Sequence, residues 1–128
     1  MGFLRIIAGS LKGRKFRVPE EAGVRPTPNR VREALFSILG EAVVGARVLD
    51  AYAGSGGLGL EAYSRGASSV TFLESDRKTH QALVSTLEDL ALSGPCRAVL
   101  GRAERSPECI LDGAPYDLVL ADPPYAHR

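Results

Sequence analysis

Two short segments carry residue types whose spacing suits chemistry. The first is Asp50-Ala51-Tyr52-Ala53-Gly54-Ser55-Gly56-Gly57-Leu58-Gly59, where a strand-like run gives way to a helix-like one. Glycines at such a junction let the backbone approach a ligand closely, and the helix start offers free N–H groups. Gly54 to Gly59 fit the pattern G-x-G-x-x-G, and Glu74 follows at about the spacing of a ribose-binding acid in dinucleotide sites. In those sites, however, the strand runs almost directly into the first glycine. Here Asp50 ends the strand, and Ala51, Tyr52 and Ala53 intervene. An acid at that point repels a pyrophosphate and suits a ligand bearing an ammonium or sulfonium group. S-adenosylmethionine bears both and no phosphate, and the two carboxylate oxygens of Glu74 suit its two ribose hydroxyls. The plainer reading of the same residues is a tight glycine turn beside an ordinary strand-end acid.

The second segment is Asp122-Pro123-Pro124-Tyr125, directly after the apolar run Leu118-Val119-Leu120. Two adjacent prolines stiffen the backbone and remove two N–H donors, which leaves carbonyls free to accept hydrogen bonds. An exocyclic amine on a nucleobase offers two N–H donors, one for the Asp122 carboxylate and one for the Pro123 carbonyl. Tyr125 supplies a face for stacking the base. Holding the amine in this way aims its nitrogen at a methyl donor, so rate enhancement comes from positioning and electrostatics. The alternative is a proline-stiffened turn.

The elements that must position these segments are legible from periodicity. Arg5 to Ala8 and Lys15 to Val18 read as a hairpin, and the proline-rich stretch 19–28 as an extended connector. Thr27 and Pro28 stand as N-cap and first residue of a helix whose apolar stripe is Val31, Ala34, Leu35, Ile38 and Leu39, with Arg30 and Arg32 facing outward. Beyond Ala46 short apolar runs alternate with helical segments, the pattern of a parallel sheet. Strands are expected at 47–50, 69–74, 97–100 and 117–121. Helices are expected from the glycine loop to about Gly66, from Arg77 to Leu92, and near Ser106-Pro107. The expected architecture is a basic hairpin and helix (residues 1–40) leading into a three-layer α/β/α body (residues 41–128), one domain overall.

Composition narrows the class. The chain has 128 residues, 45% hydrophobic and 24% charged, ordinary globular usage. No stretch is long and apolar enough to cross a bilayer, and the opening residues lack a signal-peptide centre. Cys96 and Cys109 stand far apart without metal-ligand spacing, so neither a disulfide framework nor a metal site is expected. His80 and His127 read as surface residues. Arg5, Lys12, Arg14, Lys15, Arg17, Arg25, Arg30 and Arg32 face only Glu20 and Glu21 in the first 32 residues, so a net charge of +1 divides into a basic arm and an acidic body. That asymmetry is the footprint of a protein that meets a polyanion with one end.

Arg25-Pro26-Thr27-Pro28-Asn29-Arg30-Val31-Arg32-Glu33-Ala34-Leu35-Phe36, the Val48 to Gly56 loop and Asp122-Pro123-Pro124-Tyr125 together resemble the RsmD family, and the similarity runs from Arg5 through the whole chain. These are bacterial S-adenosylmethionine-dependent enzymes that methylate a guanine N2 in 16S ribosomal RNA. The resemblance implies a Rossmann-like methyltransferase sheet. It implies cofactor contacts from Asp50, Tyr52, Ala53, Gly54, Ser55, Gly56, Glu74, Ser75 and Ala103, and a target amine held at Asp122, Pro123, Pro124 and Tyr125. It further implies that the small ribosomal subunit is the substrate, with the N-terminal hairpin as an RNA-contacting extension. On charge, Arg14, Lys15, Arg25 and Arg30 are the expected phosphate contacts; the cysteine usage points to the cytoplasm, and a monomer is expected. Two features depart from the pattern. After the third strand the adenine-contacting acid of many relatives is replaced by Gly101-Arg102-Ala103-Glu104. The sequence also stops at Arg128 with four of seven strands placed, so it is expected to be cut from a longer protein, with the fourth strand an uncovered sheet edge. Competing readings are an adenine-N6 DNA methyltransferase, an RNA-binding chain made inactive by the truncation, and a dinucleotide oxidoreductase.

Overall fold

Valine, leucine and phenylalanine dominate the runs that pair in the centre of the molecule. The computed structural model describes residues 2–18, 29–102 and 115–122. Strands β1 (Gly2–Arg5) and β2 (Lys15–Val18) form an antiparallel hairpin. Helix α1 (Asn29–Leu39) follows, then β3 (Arg47–Asp50), α2 (Gly57–Ser64), β4 (Ser69–Glu74), α3 (Arg77–Asp89), β5 (Cys96–Leu100) and β6 (Leu118–Leu120). The last four strands form one parallel sheet in the order β5-β4-β3-β6. Val48, Leu49, Val70, Thr71, Phe72 and Leu73 are all buried, so neither face of the central pair meets water, as a parallel sheet requires. The fold is the Rossmann-like α/β arrangement expected. The short helix near Ser106 and the N-cap at Thr27-Pro28 lie outside the described residues. No described helix is long and apolar enough to cross a membrane.

β3 is the strand from which the order reverses, with β4 on one side and β6 on the other. In open parallel sheets the crevice beyond the carboxyl ends at such a switch point is where ligands bind. Asp50 is level there with Phe72 and Leu120, and Glu74 ends β4 two residues further on. β6 has a neighbour on its β3 side only among the described residues, and Val119 on it is 56% exposed.

Three details of the N-terminal arm differ from the sequence reading. The first strand is Gly2–Arg5 and not Arg5 to Ala8, because the N–H groups of Ile7 and Ala8 leave the ladder to donate to Glu61. The stripe on α1 is also rotated. Its buried residues are Arg32 and Phe36, with Leu35 and Leu39 packed beside them, whereas Val31 and Ile38 are exposed. Arg32, expected to face outward, is wholly buried because Glu61 of α2 offers it a carboxylate, while Arg30 is exposed.

Glu61 is the only charged residue of α2. Its Oε1 accepts from Ile7 N–H at 3.0 Å and Arg32 Nη1 at 3.3 Å, its Oε2 from Ala8 N–H at 3.0 Å and Arg65 Nε at 2.8 Å. Arg32 also donates through Nη2 to the Arg5 carbonyl and to Asn29 Oδ1. Burial draws the Arg32 pKa down while Glu61 pushes it up. One turn on, Ser64 continues the seam. Its hydroxyl donates to the Ala8 carbonyl and accepts from Leu11 N–H, and its own carbonyl accepts from Ser10 N–H at 2.8 Å. Gly9 lies so close that an added Cβ would stand 1.9 Å from that carbonyl oxygen, at a φ of +89° that disfavours any side chain. The basic arm is thus hydrogen-bonded into the same buried layer as the helix that follows the glycine loop.

Candidate functional site

The loop after β3 is held open by its two neighbours. Ala51 N–H donates to the Leu120 carbonyl at 2.8 Å and Ala53 N–H to the Leu73 carbonyl at 3.0 Å, so the chain fans out between β6 and β4. Gly54 and Gly56 then take positive φ values of 56° and 93°, which ordinary residues rarely adopt, and Gly56 caps α2. Gly59 is needed for a different reason: a Cβ there would lie 2.3 Å from the Phe72 ring, so its absence is what lets α2 sit close on β4.

Asp50 lies at the centre of this arrangement. It is 1% exposed. Its Oδ2 accepts from Gly59 N–H at 3.1 Å, and its Oδ1 has no partner among the described residues. Burial, followed in effect by the negative charges of Asp122 and Glu74, pushes its pKa up to about 7 against the Gly59 hydrogen bond. The three carboxylates that the sequence singled out therefore share one end of the sheet. A buried carboxylate oxygen without a donor, beside two further acids, is unfavourable alone and is relieved by a cationic ligand.

Glu74 is half-buried and organises the loop as well as facing the crevice. Its Oε1 accepts from Gly54 N–H at 2.8 Å and its Oε2 from Asp76 N–H at 2.9 Å. Each carboxylate oxygen accepts a further hydrogen bond, so two hydroxyl donors can still be taken. Asp76, which the sequence reading passed over, caps α3 by accepting from the N–H and hydroxyl of Thr79, at 2.9 and 2.7 Å. The Thr79 hydroxyl and N–H hold its pKa below the usual carboxylate value. The spacing Asp76-Arg77-Lys78-Thr79 is an N-cap signal visible in the sequence.

The remaining site residues sort plainly. Ala53 and Ser55 are buried, Tyr52 is half-buried, and Ser75 and Asp122 are exposed. Arg14 and Lys15 are exposed on the hairpin side of the molecule and Arg30 on α1. Ala103, Pro123, Pro124, Tyr125 and Arg25 lie outside the described residues. His80, expected at the surface, is half-buried, its Nε2 3.2 Å from the Ala98 carbonyl. Cys96 packs in the core, where burial pushes its thiol up to about 12.

The family model described as Conserved hypothetical protein 95 matches residues 4–128. Ribosomal RNA small subunit methyltransferase D of Escherichia coli (strain K12) is 44% identical over 97% of this chain and 61% of its own length. The chain belongs to the RsmD family. Another relative, Putative rRNA methyltransferase YlbH of Bacillus subtilis (strain 168), is 37% identical over 98% of this chain and 68% of its own. Among solved structures, the putative methylase HI0767 from Haemophilus influenzae superposes with a TM-score of 0.73 at 35% identity, covering 97% of this chain and 66% of that one. The chain thus spans about three fifths of the length of the E. coli RsmD relative. The RsmD match reaches across hairpin, glycine loop and β6 alike, so the arm belongs to the family's pattern together with the sheet.

Proposed function

We propose that this chain is the cofactor-binding and RNA-docking part of a cytoplasmic, monomeric methyltransferase that modifies the exocyclic N2 amine of a guanine in 16S ribosomal RNA of the small subunit. The observation that carries the reading is Asp50, a fully buried carboxylate at a glycine turn with one oxygen unpartnered among the described residues. It suits a cation and disfavours a pyrophosphate. S-adenosylmethionine, when bound, supplies a methyl group on a sulfonium that an amine nitrogen can displace.

The chain's own residues account for the rest. Asp50 neutralises positive charge on the ligand, Glu74 takes ribose hydroxyls on the lone pairs its backbone donors leave free, and the Gly54 and Gly56 turns bring backbone close without a side chain. Asp122, exposed two residues past β6, accepts one N–H of the target amine, and the Pro123 carbonyl accepts the other. The proton leaves toward Asp122 after the nitrogen has become positively charged, so a strong base is not required. Tyr125 stacks the base. Arg14, Lys15, Arg25 and Arg30 are assigned to phosphates on charge and sequence position.

Calorimetric titration with S-adenosylmethionine, with NADH as the control, tests the cofactor site. Saturable binding of the first alone is expected, and binding of NADH instead would overturn the reading. Asp122→Ala should abolish methyl transfer to small ribosomal subunits while leaving cofactor affinity within a few-fold; retained turnover would contradict its role. Methylation of duplex DNA and not of ribosomal subunits would move the assignment to an adenine-N6 enzyme.

A further inference from the structure

The two faces of the β1-β2 hairpin differ. Phe16 and Val18 point into the core at 2% and 7% exposure. The opposite face pairs Phe3 with Arg17 and Arg5 with Lys15 across the strands, and all four of these residues are exposed. Phe3 is 58% exposed, and the Lys15 ammonium stands 5.7 Å from its ring centroid. Where the hairpin meets the last turn of α3 lies a groove of about 210 Å³, walled by Phe3, Lys15 and Arg17 of the exposed face, with the buried Phe16 ring at its floor, on one side, and by Thr86, Asp89 and Leu90 on the other. That is below the roughly 300 Å³ at which pockets for drug-sized ligands begin, so it fits a flat ring and not a larger ligand.

We propose that this groove takes one unstacked nucleobase of a single-stranded RNA segment. The base stacks on Phe3, the flanking phosphates meet Arg5, Lys15 and Arg17, and the Asp89 carboxylate accepts an N–H from the base edge. An exposed aromatic ring among three cations is the combination by which single strands are held, because every base has a π-face and every linkage a phosphate. A duplex keeps its bases stacked and has none to offer. The inference deepens the RNA-substrate reading above and rests on it.

Its position adds something that reading lacks. α3 starts beside Glu74 at the carboxyl end of β4 and returns to the opposite end of the sheet, where the parallel strand β5 begins; its 13 residues cover roughly 20 Å at 1.5 Å per residue. The groove, at the far end of that helix, is therefore a second anchor point remote from the target amine. It fixes where the substrate lies on the arm and takes no part in the chemistry.

The chain contains no tryptophan, so Phe3→Trp introduces a single fluorescent reporter at the proposed stacking plate. Titration with a single-stranded oligoribonucleotide should quench it saturably, whereas the same sequence as a duplex should not. Phe3→Ala should weaken single-strand binding about 5- to 150-fold, as expected for one lost stacked base, with the salt dependence unchanged. Lys15→Ala should instead reduce the salt slope by about 1. Circular dichroism of each variant should match the parent, since these side chains are exposed. Single-strand binding without quenching, and with full affinity in Phe3→Ala, would overturn the groove while leaving the methyltransferase reading intact. Equal quenching by duplex would overturn the single-strand assignment. Loss of cofactor binding and of all RNA binding in the parent chain would overturn the underlying reading as well.

Discussion

Asp50 at the end of β3 and Glu61 on α2 are both carboxylates buried almost completely, and the protein treats them in opposite ways. Glu61 receives four donors, two from the backbone of the arm and two from arginines, so its charge is compensated. Asp50 receives one among the described residues, from Gly59 N–H, and faces Asp122 and Glu74 where a cation would be useful. The first arrangement joins arm to core. Arg32 Nε in the seam also lacks a partner among the described residues, but that cation has Glu61 against it, whereas the acids around Asp50 add to its charge, and that like-charge deficit is what marks a ligand site.

Removing the satisfied member should have the largest effect. Glu61→Ala strands the fully buried Arg32 and two backbone N–H groups, while Arg65, with its side chain 20% exposed, can turn to water. We expect a loss of about 3–5 kcal/mol in urea unfolding, the range for breaking a buried pair from one side. A loss below about 1 kcal/mol would show the seam to be dispensable. Gly59→Ala comes next: the new Cβ would meet the Phe72 ring at 2.3 Å, pushing α2 off β4 and shifting the Asp50 donor. The expected cost is about 1–3 kcal/mol, as for overpacking elsewhere, accompanied by weaker cofactor binding.

Asp50→Asn should act in the other direction on stability. An acid whose folded pKa is raised from 3.8 to about 7 holds its proton longer folded than unfolded. Between those values the unfolded chain binds fewer protons, so stability falls as pH rises through the window and levels off above it. Asp50→Asn removes that slope and should be more stable than the parent at pH 8, by an amount on the order of a few kcal/mol before any strain from the amide. Identical pH profiles of melting temperature for parent and variant would refute the account of Asp50. The smallest effect belongs to exposed Arg30: Arg30→Ala should leave unfolding within about 0.5 kcal/mol and show itself only in RNA affinity and its salt dependence.

Much of this was readable from residue patterns. The bounds of β3 and β4 are legible to the residue because an apolar run bounded by turn residues has few alternatives, and the glycine loop stands out by composition. The seam is not legible in the sequence, since Arg32 and Glu61 lie 29 positions apart and each looks like a solvated helix residue in isolation. Two signals were present. Glu61 is the sole charge in a helix apolar on all sides, which demands a buried partner, and Arg32, Phe36 and Leu39 share one face as well as the stripe chosen from hydropathy did. Side-chain hydropathy ranked Val31 and Ile38 above Arg32, but the carboxylate opposite reversed the order. The missing donor on Asp50 was not visible either, because partners of a buried oxygen are set by tertiary packing.

The central claim is that Asp50 is left under-satisfied so that a cationic cofactor can complete it. Calorimetric titration of S-adenosylmethionine into the parent chain and Asp50→Asn at pH 8 measures that directly, with melting temperatures taken on the same samples. The account predicts affinity at least about tenfold weaker in the variant, as for loss of a charge-assisted contact, together with an equal or higher melting temperature. Unchanged affinity in a folded Asp50→Asn variant would contradict it.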